Sequence, residues 1–172
     1  MIFEKTLLPK RMCKTFRDVT PESLHALGIR HIICDIDNTL VTYDDPLPTE
    51  DVLAWFDCMT KNGIRVGFVS NNDHERVKLF NSKVGFTAYA KAGKPLTGKL
   101  KKAMADMGAE PGNTALLGDQ LLTDAAAANR AGLYSIIVPP IKDKKNAFFR
   151  FKRWLEVPYV KKYRKTHESE NN

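Results

Sequence analysis

Residues 31–40 read His31-Ile32-Ile33-Cys34-Asp35-Ile36-Asp37-Asn38-Thr39-Leu40, an apolar run that predicts a buried strand and, at its end, two carboxylates two residues apart. Strands of parallel α/β sheets point their carboxyl ends at the ligand crevice. Adjacent carboxylates repel unless a cation or a shared proton offsets them. The pair therefore points to a Mg2+-assisted phosphoryl-transfer site, with Asp35 as nucleophile and metal ligand and Asp37 handling protons. The other reading of so short a string is an Asp-rich turn that caps a strand.

On either side of this strand, apolar runs and helix-end signals alternate. Upstream, Thr20 and Pro21 open a short helix over 21–27 that Gly28 stops. Downstream, the acidic, proline-containing turn Asp44-Asp45-Pro46-Leu47-Pro48 leads to a helix over 50–61, capped by Thr49 and ended by Asn62-Gly63. Val52, Phe56 and Met59, with Leu53 and Trp55 beside them, supply its apolar side. A strand over 64–69, a helix from Asp73 to near Gly85 and a helix over 96–107 ending at Gly108 follow. Then come a strand over 114–117, a helix over 125–131 closing before Gly132, and a strand over 134–138 before Pro139-Pro140. The alternation predicts an α/β fold, a Rossmann-like, doubly wound parallel sheet with right-handed crossovers. With 172 residues and 43% hydrophobic content, the chain can bury one ordinary core.

Polar groups recur where these strands end. Ser70-Asn71-Asn72 follows the second strand, Lys94-Pro95 follows a short apolar stretch, and Gly118-Asp119-Gln120-Leu121-Leu122-Thr123-Asp124 follows the strand at 114–117. In order, DxDxT, a Ser, a Lys and GDxxxTD resemble the four motifs of the haloacid dehalogenase-like (HAD) phosphatases, over about residues 29–141. DxDNTL, SNN, Lys-Pro and GDQLLTD look like the YqeG-like class IIIA branch, itself similar to the mitochondrial phosphatidylglycerophosphate phosphatases. The resemblance implies a Mg2+-dependent phosphomonoester hydrolase, with phosphatidylglycerophosphate as favoured substrate and a soluble phosphomonoester as the alternative.

Roles follow from residue type. Asp35 is anionic at neutral pH and attacks phosphorus without an activating base, giving an aspartyl-phosphate. Asp37 protonates the leaving alkoxide and deprotonates the hydrolytic water; in the resembling family it also offers its backbone carbonyl to the metal. Asp119 completes the carboxylate ligands of an oxygen-loving Mg2+. Ser70, Asn71 and the backbone N–H groups after Asp35 bind phosphate oxygens, and Lys94 offsets charge on the nucleophile and the transferring group. Asp124 either orients metal waters or Lys94, or caps the helix that begins beside it. Thr39 braces the turn. Asn72 is turn chemistry or a substrate contact, and His74 an exposed residue at a helix start. Lys91 competes with Lys94, but Lys94-Pro95 matches the family pattern better.

The spacing also limits any lid. About thirty residues separate Thr39 from Ser70, and one turn, one helix and one strand fill them. Tyr89 to Thr114 holds little beyond the Lys94 loop and a helix, so an open, lidless site is expected.

Charge is uneven. Residues 142–172 carry ten Lys/Arg against four Asp/Glu, whereas residues 1–141 carry seventeen against sixteen. The basic end points to an anionic partner or surface, or to a solubilising face. Phe148, Phe151 and Leu155, with Trp154 at the edge and Arg150 and Arg153 opposite, predict a basic amphipathic helix over 147–156 that Pro158 ends. Packing of the aromatic stripe onto the domain is the favoured reading and docking on an anionic membrane the functional alternative. Tyr159 to Lys165 interleaves aromatics with cations, which also suits RNA or a ribosome, with activity vestigial. The expected organisation is an N-terminal extension over 1–28 packed on the domain, a phosphatase domain over 29–141, a basic helical extension over 142–165 and a disordered tail over 166–172. No run suits a signal peptide or a membrane span, and Cys13, Cys34 and Cys58 form no paired framework. A cytoplasmic protein, peripheral at most to the inner face of the membrane, is expected, with Cys34 an inert buried thiol.

Overall fold

Parallel pairing joins β1 (Arg11–Met12), β2 (His31–Cys34), β3 (Arg65–Val69), β4 (Thr87–Tyr89), β5 (Thr114–Gly118) and β6 (Tyr134–Ile137) into one sheet of order β1-β6-β5-β2-β3-β4. The protein was analysed as a computed structural model that describes residues 2–142 and 147–168. The helices are α1 (Ile2–Leu7), α2 (Pro21–His25), α3 (Glu50–Lys61), α4 (His74–Asn81), α5 (Gly98–Met107), α6 (Ala126–Ala131) and α7 (Ala147–Glu168).

Both faces of the sheet are covered, and the two-residue period of the strands sorts their side chains between two cores. Ile32 and Cys34 of β2, Phe68 of β3 and Leu117 of β5 join one core with Phe56, Met59 and Phe80. Ile33, Val69 and Leu116 face the other, with Leu100 and Met104 of α5 and Ala127 and Ala128 of α6. Phe68 sits among Phe56, Phe80 and Phe86 with ring centroids 5.4–5.8 Å apart. The chain runs outward from β2 through β3 to β4, then returns to β5 on the other side of β2. That reversal opens the crevice beyond the carboxyl ends of β2 and β5.

Several elements depart from the expectation. β1 and α1 were not anticipated: two residues of β1 pair with β6 at the sheet edge, and Phe16, Val19 and Leu24 of the segment that follows are buried. Trp55 Nε1 donates to the Val19 carbonyl at 2.8 Å and holds this segment to α3. The helix expected to reach Gly85 stops at Asn81, because the Asn81 side chain turns back onto Phe86, donating to its carbonyl at 2.7 Å and accepting its N–H at 2.9 Å.

The largest departure is α7, which does not end before Pro158 but runs through it to Glu168. Residues 166–168 of the expected disordered tail are therefore helical; 169–172 lie outside the described residues. A proline inside a helix withholds one N–H from the carbonyl four residues earlier. That carbonyl belongs to Trp154, and Trp154 and Pro158 are both exposed, so water can replace the missing donor. The aromatic stripe is not packed on the domain either: Phe151, Trp154 and Leu155 are exposed, while the Phe148 side chain lies outside the described residues. A different stripe docks. Glu156 is buried, Tyr159 and Val160 pack against Leu121, Ala125 and Ile137, and the Tyr163 hydroxyl accepts the Met12 N–H at 3.0 Å. No helix among the described residues is long and apolar enough to cross a membrane.

The connections over 35–49 and 90–97 contain no helix or strand of their own, so neither inserts a lid above the crevice.

Candidate active site

Asp35 leaves the end of β2 with its N–H still donated to the Leu117 carbonyl of β5 at 2.8 Å, which fixes it over the centre of the sheet. The chain then tightens: Leu40 N–H and Asn38 N–H bond to the carbonyls of Ile36 and Val41 at 3.0 and 2.7 Å, with Asn38 at a left-handed φ of 64°. Backbone bonds rather than the Thr39 hydroxyl close this turn; Thr39 Oγ1 is buried without a hydrogen-bond partner among the described residues.

Lys94 reaches the same point from the loop after β4. Its ammonium lies 3.0 Å from Asp35 Oδ1 and 2.6 Å from Asp124 Oδ1, with all three side chains buried. Asp35, Asp119 and Asp124 each present an oxygen within 4.8 Å of the others. Burial is the largest influence on Asp35 and, with Asp124 and Asp37 adding repulsion against the pull of Lys94, pushes its pKa up to about 6. Burial disfavours the charge on Lys94, but Asp124 and Asp35 outweigh it and the pKa is raised. Lys94 is an ammonium in this centre. Burial likewise raises Cys34, which stays a thiol beneath the site.

Asp124 is placed by an unusual turn. After β5 the chain makes a π-helical turn over Leu121–Ala125, in which Asp124 Oδ2 accepts the Gln120 N–H at 3.1 Å while Oδ1 faces Lys94. Asp124 does not cap α6, whose N-cap position is Ala125; its carboxylate ties the start of its own turn and faces the lysine. Gly118 makes this possible, because a Cβ there would overlap Cβ, Cγ and Oδ2 of Asp124. Glu156 of α7 steadies the turn from outside, its Oε1 accepting the Leu122 N–H at 3.1 Å.

Asp37 stands apart from this carboxylate cluster. Its Oδ1 accepts from Arg76 Nε and Nη2 at 3.0 and 2.9 Å, and its Oδ2 from Asn72 Nδ2 at 2.8 Å. Arg76 is anchored in turn by the Pro46 carbonyl at 2.7 Å. A metal role for Asp37 rests on its backbone carbonyl, since its carboxylate is engaged elsewhere. Ser70 is buried at the end of β3, with Oγ accepting the Asn72 N–H at 3.1 Å. The Asn71 amide is used on the backbone of Lys94, donating to its carbonyl at 3.1 Å and accepting its N–H at 2.7 Å. His74 and Lys91 are exposed, whereas Lys94 is buried.

Sequence reasoning missed Arg76 and Glu156. Arg76 had a signal: it lies in the first turn of α4, three residues after the cap Asp73, where the helix dipole disfavours a cation. A base there implies a specific acidic partner.

Three buried carboxylates of one ligand geometry against a single ammonium leave two negative charges in a water-poor pocket, a hard-oxygen donor set that fits a divalent cation. Such a centre lies at the switch point of a doubly wound sheet, where folds of this kind bind their ligands. A HAD-hydrolase-like family model matches residues 91–144. The probable phosphatase YqeG of Bacillus subtilis (strain 168) is 37% identical over 155 residues, covering 90% of this chain and 90% of that one. At that identity and coverage, the chain belongs to the haloacid dehalogenase-like phosphatase family. Solved structures repeat the fold: an uncharacterized protein from Listeria monocytogenes serotype 4b has a TM-score of 0.55 at 18% identity, over 69% of this chain and 85% of that one. A predicted phosphoglycolate phosphatase from Haemophilus somnus 129PT has a TM-score of 0.51 at 16% identity, over 64% and 85%.

Proposed function

We propose that the protein is a Mg2+-dependent phosphomonoester hydrolase working through an aspartyl-phosphate on Asp35, with phosphatidylglycerophosphate as its favoured substrate. The observation that carries the reading is the convergence of Asp35, Asp119 and Asp124, within 4.8 Å of one another, on Lys94.

Asp35, Asp119 and the Asp37 carbonyl would hold the Mg2+, which would supply charge neutralisation for phosphoryl transfer. Asp35 attacks phosphorus, the bond to the leaving oxygen breaks, and Asp37 gives that oxygen its proton. Asp37 then takes a proton from water as the water attacks the aspartyl-phosphate, releasing phosphate and restoring Asp35. Asn72 and Arg76 hold the Asp37 carboxylate in one orientation for both transfers. Ser70, the backbone N–H of Asn71 and the N–H groups after Asp35 bind phosphate oxygens. Lys94, oriented by Asp124, offsets the charge of nucleophile and phosphoryl group.

The lipid assignment draws on the family resemblance and on α7. Phe151 and Trp154 stack with centroids 6.0 Å apart and stay largely exposed, on a helix that also exposes Arg150, Lys161, Lys162 and Arg164. Exposed aromatics among cations suit the surface of an anionic membrane, here its cytoplasmic face. With no lid element in the connections over 35–49 and 90–97, the crevice has room for a phosphate that protrudes from a large molecule or a membrane surface; a soluble phosphomonoester is the second reading.

Assay of the purified protein against phosphorylated lipids, sugars and nucleotides tests this. Phosphatidylglycerophosphate should be turned over best, chelation should abolish activity, and Mg2+ should restore it. Equal activity in excess chelator would overturn the mechanism, and a preferred sugar phosphate would replace the substrate.

A further inference from the structure

A groove of about 370 Å³ runs between α7 and the segment that follows β6, and Asp119 of the carboxylate cluster lies at its inner end. Ligand sites of small molecules begin at roughly this volume. Its walls are mostly apolar, from Met12, Ile137, Pro139 and Pro140 on one side and Val157 and Val160 on the other. At its outer side stand two exposed cations, Lys161 and Arg164, one helical turn apart on α7, and neither makes an ion pair among the described residues. Glu156 also borders the groove, but it is buried and its carboxylate accepts the half-buried Leu122 N–H. Hydrocarbon walls, two cations and a catalytic carboxylate at the inner end thus share one cleft.

The groove on the other side of the Pro139-Pro140 ridge differs. It sets Asp45 and Asp51 beside Lys14 and Arg17, and Arg17 is paired with Asp51. Its mixed charge selects no anion.

We propose that the groove between α7 and the segment after β6 is a subsite for an anionic amphiphile, with a phosphodiester seated on Lys161 and Arg164 and its hydrocarbon against Val157, Val160 and Ile137. The inference deepens the phosphatase reading and rests on it in one respect: the occupant is the leaving-group end of the substrate, which extends outward from the phosphomonoester at Asp35. Lys161 and Arg164 are then specificity-determining residues. They favour phosphomonoesters that carry a second anionic group over those that lack one, and α7, which carries them, is part of the active site as well as of the fold. Charge complementarity selects the phosphodiester and the apolar lining selects the chain, so a lipid rather than a nucleotide is the occupant.

Calorimetric titration with dihexanoyl phosphatidylglycerol, below its micelle threshold, tests the subsite without chemistry, because this lipid carries the phosphodiester and chains but no phosphomonoester. The full chain should bind it at one site, and dihexanoyl phosphatidylcholine, with the same chains and no net charge, about tenfold more weakly. The double substitution Lys161→Gln, Arg164→Gln should weaken the glycerol lipid about tenfold or more with an unchanged melting temperature, since both side chains are exposed. Equal affinity for the two lipids, equal affinity of wild type and double variant, or no binding by wild type would each overturn the subsite. Wild-type hydrolysis of p-nitrophenyl phosphate, read on the same preparation, tests the phosphatase reading separately, so that failure of one is seen without the other.

Discussion

Every oxygen of the Asp37 carboxylate is spoken for: Arg76 takes one through two N–H groups and Asn72 the other. A general acid gains from such a clamp only if its direction matters. Arg76→Ala should therefore lower kcat by about 10- to 100-fold, within the range a positioned acid/base supplies, with little change in KM. Arg76→Lys should recover only part, because an ammonium cannot repeat the paired N–H contact. A loss confined to KM would remove Arg76 from this role. Asp35 predicts differently. Asp35→Asn should abolish turnover while retaining the fold, since the amide has the shape of the acid but not its nucleophilicity. It should also alter the pH dependence of stability. A carboxyl raised to about 6 when folded binds its proton more tightly than in the unfolded chain. Its stabilising contribution is full below about pH 4 and is lost as pH rises through about 6. In chelator, wild type should lose melting temperature across that window and Asp35→Asn should lose less; parallel curves would refute the assignment. Asp35, Asp119, Ser70 and Lys94 were legible in the sequence because each is a reactive type at or just beyond a strand end. The division of labour between Asn71 and Asn72 was not, since in a turn the backbone decides where each amide points. One holds the Lys94 backbone and the other Asp37.

Among elements, the π-helical turn over Leu121–Ala125 does the most for the site, and it depends on β5 ending in glycine. A methyl group at 118 has no space beside Asp124, so Gly118→Ala should push the turn outward and separate Asp124 from Lys94. Overpacking of this kind costs about 1–3 kcal/mol. A melting temperature lowered by several degrees, with kcat reduced as well, is the expected result; a variant as stable and active as wild type would show that the contact yields freely. Periodicity identified α3 with its cap and stop and the helix over 125–131, but so short a pattern gave no sign of the π turn over Leu121–Ala125 that leads into that helix. In α7 the amphipathic pattern was read from the wrong stripe. Phe148, Phe151 and Leu155 drew attention by size, and Pro158 implied an end, which hid Glu156, Tyr159, Val160 and Tyr163 at the i, i+3, i+4, i+7 spacing that in fact docks. Because the buried Glu156 carboxylate accepts the half-buried Leu122 N–H, Glu156→Ala should destabilise the fold by about 1–3 kcal/mol, measurable in denaturant; a change within error would mean that water replaces the carboxylate.

At the scale of the molecule, alternating strands and helices were enough to infer a doubly wound parallel sheet, and with it the meeting of residues 35, 70 and 119 at one edge. The place of β1 was not legible, because a two-residue edge strand carries no period and its pairing with β6 spans 125 residues of chain between Arg11 and Ile136. The same scale sets the charge. Most of the net +7 comes from residues 142–172, and the helix in that segment turns Phe151 and Trp154 outward while Tyr159 and Tyr163 dock on the domain. The chain has two tryptophans, and their environments are opposite: Trp55 is buried at 8% exposure and Trp154 is 68% exposed. Fluorescence therefore isolates the helix. If α7 docks on anionic membranes, vesicles containing phosphatidylglycerol should shift the emission of Trp154 to shorter wavelength as the indole enters the interface, and vesicles of phosphatidylcholine alone should not. Added salt should reverse the shift, because surface attraction is screened over about 10 Å at 0.1 M. Trp154→Ser should remove the signal and weaken sedimentation with vesicles while leaving the melting temperature nearly unchanged, the side chain having only its exposed stack on Phe151 to lose. A blue shift on neutral vesicles as large as on anionic ones, or one indifferent to salt, would discard electrostatic docking; no shift on either would leave the phosphatase working on substrates from solution.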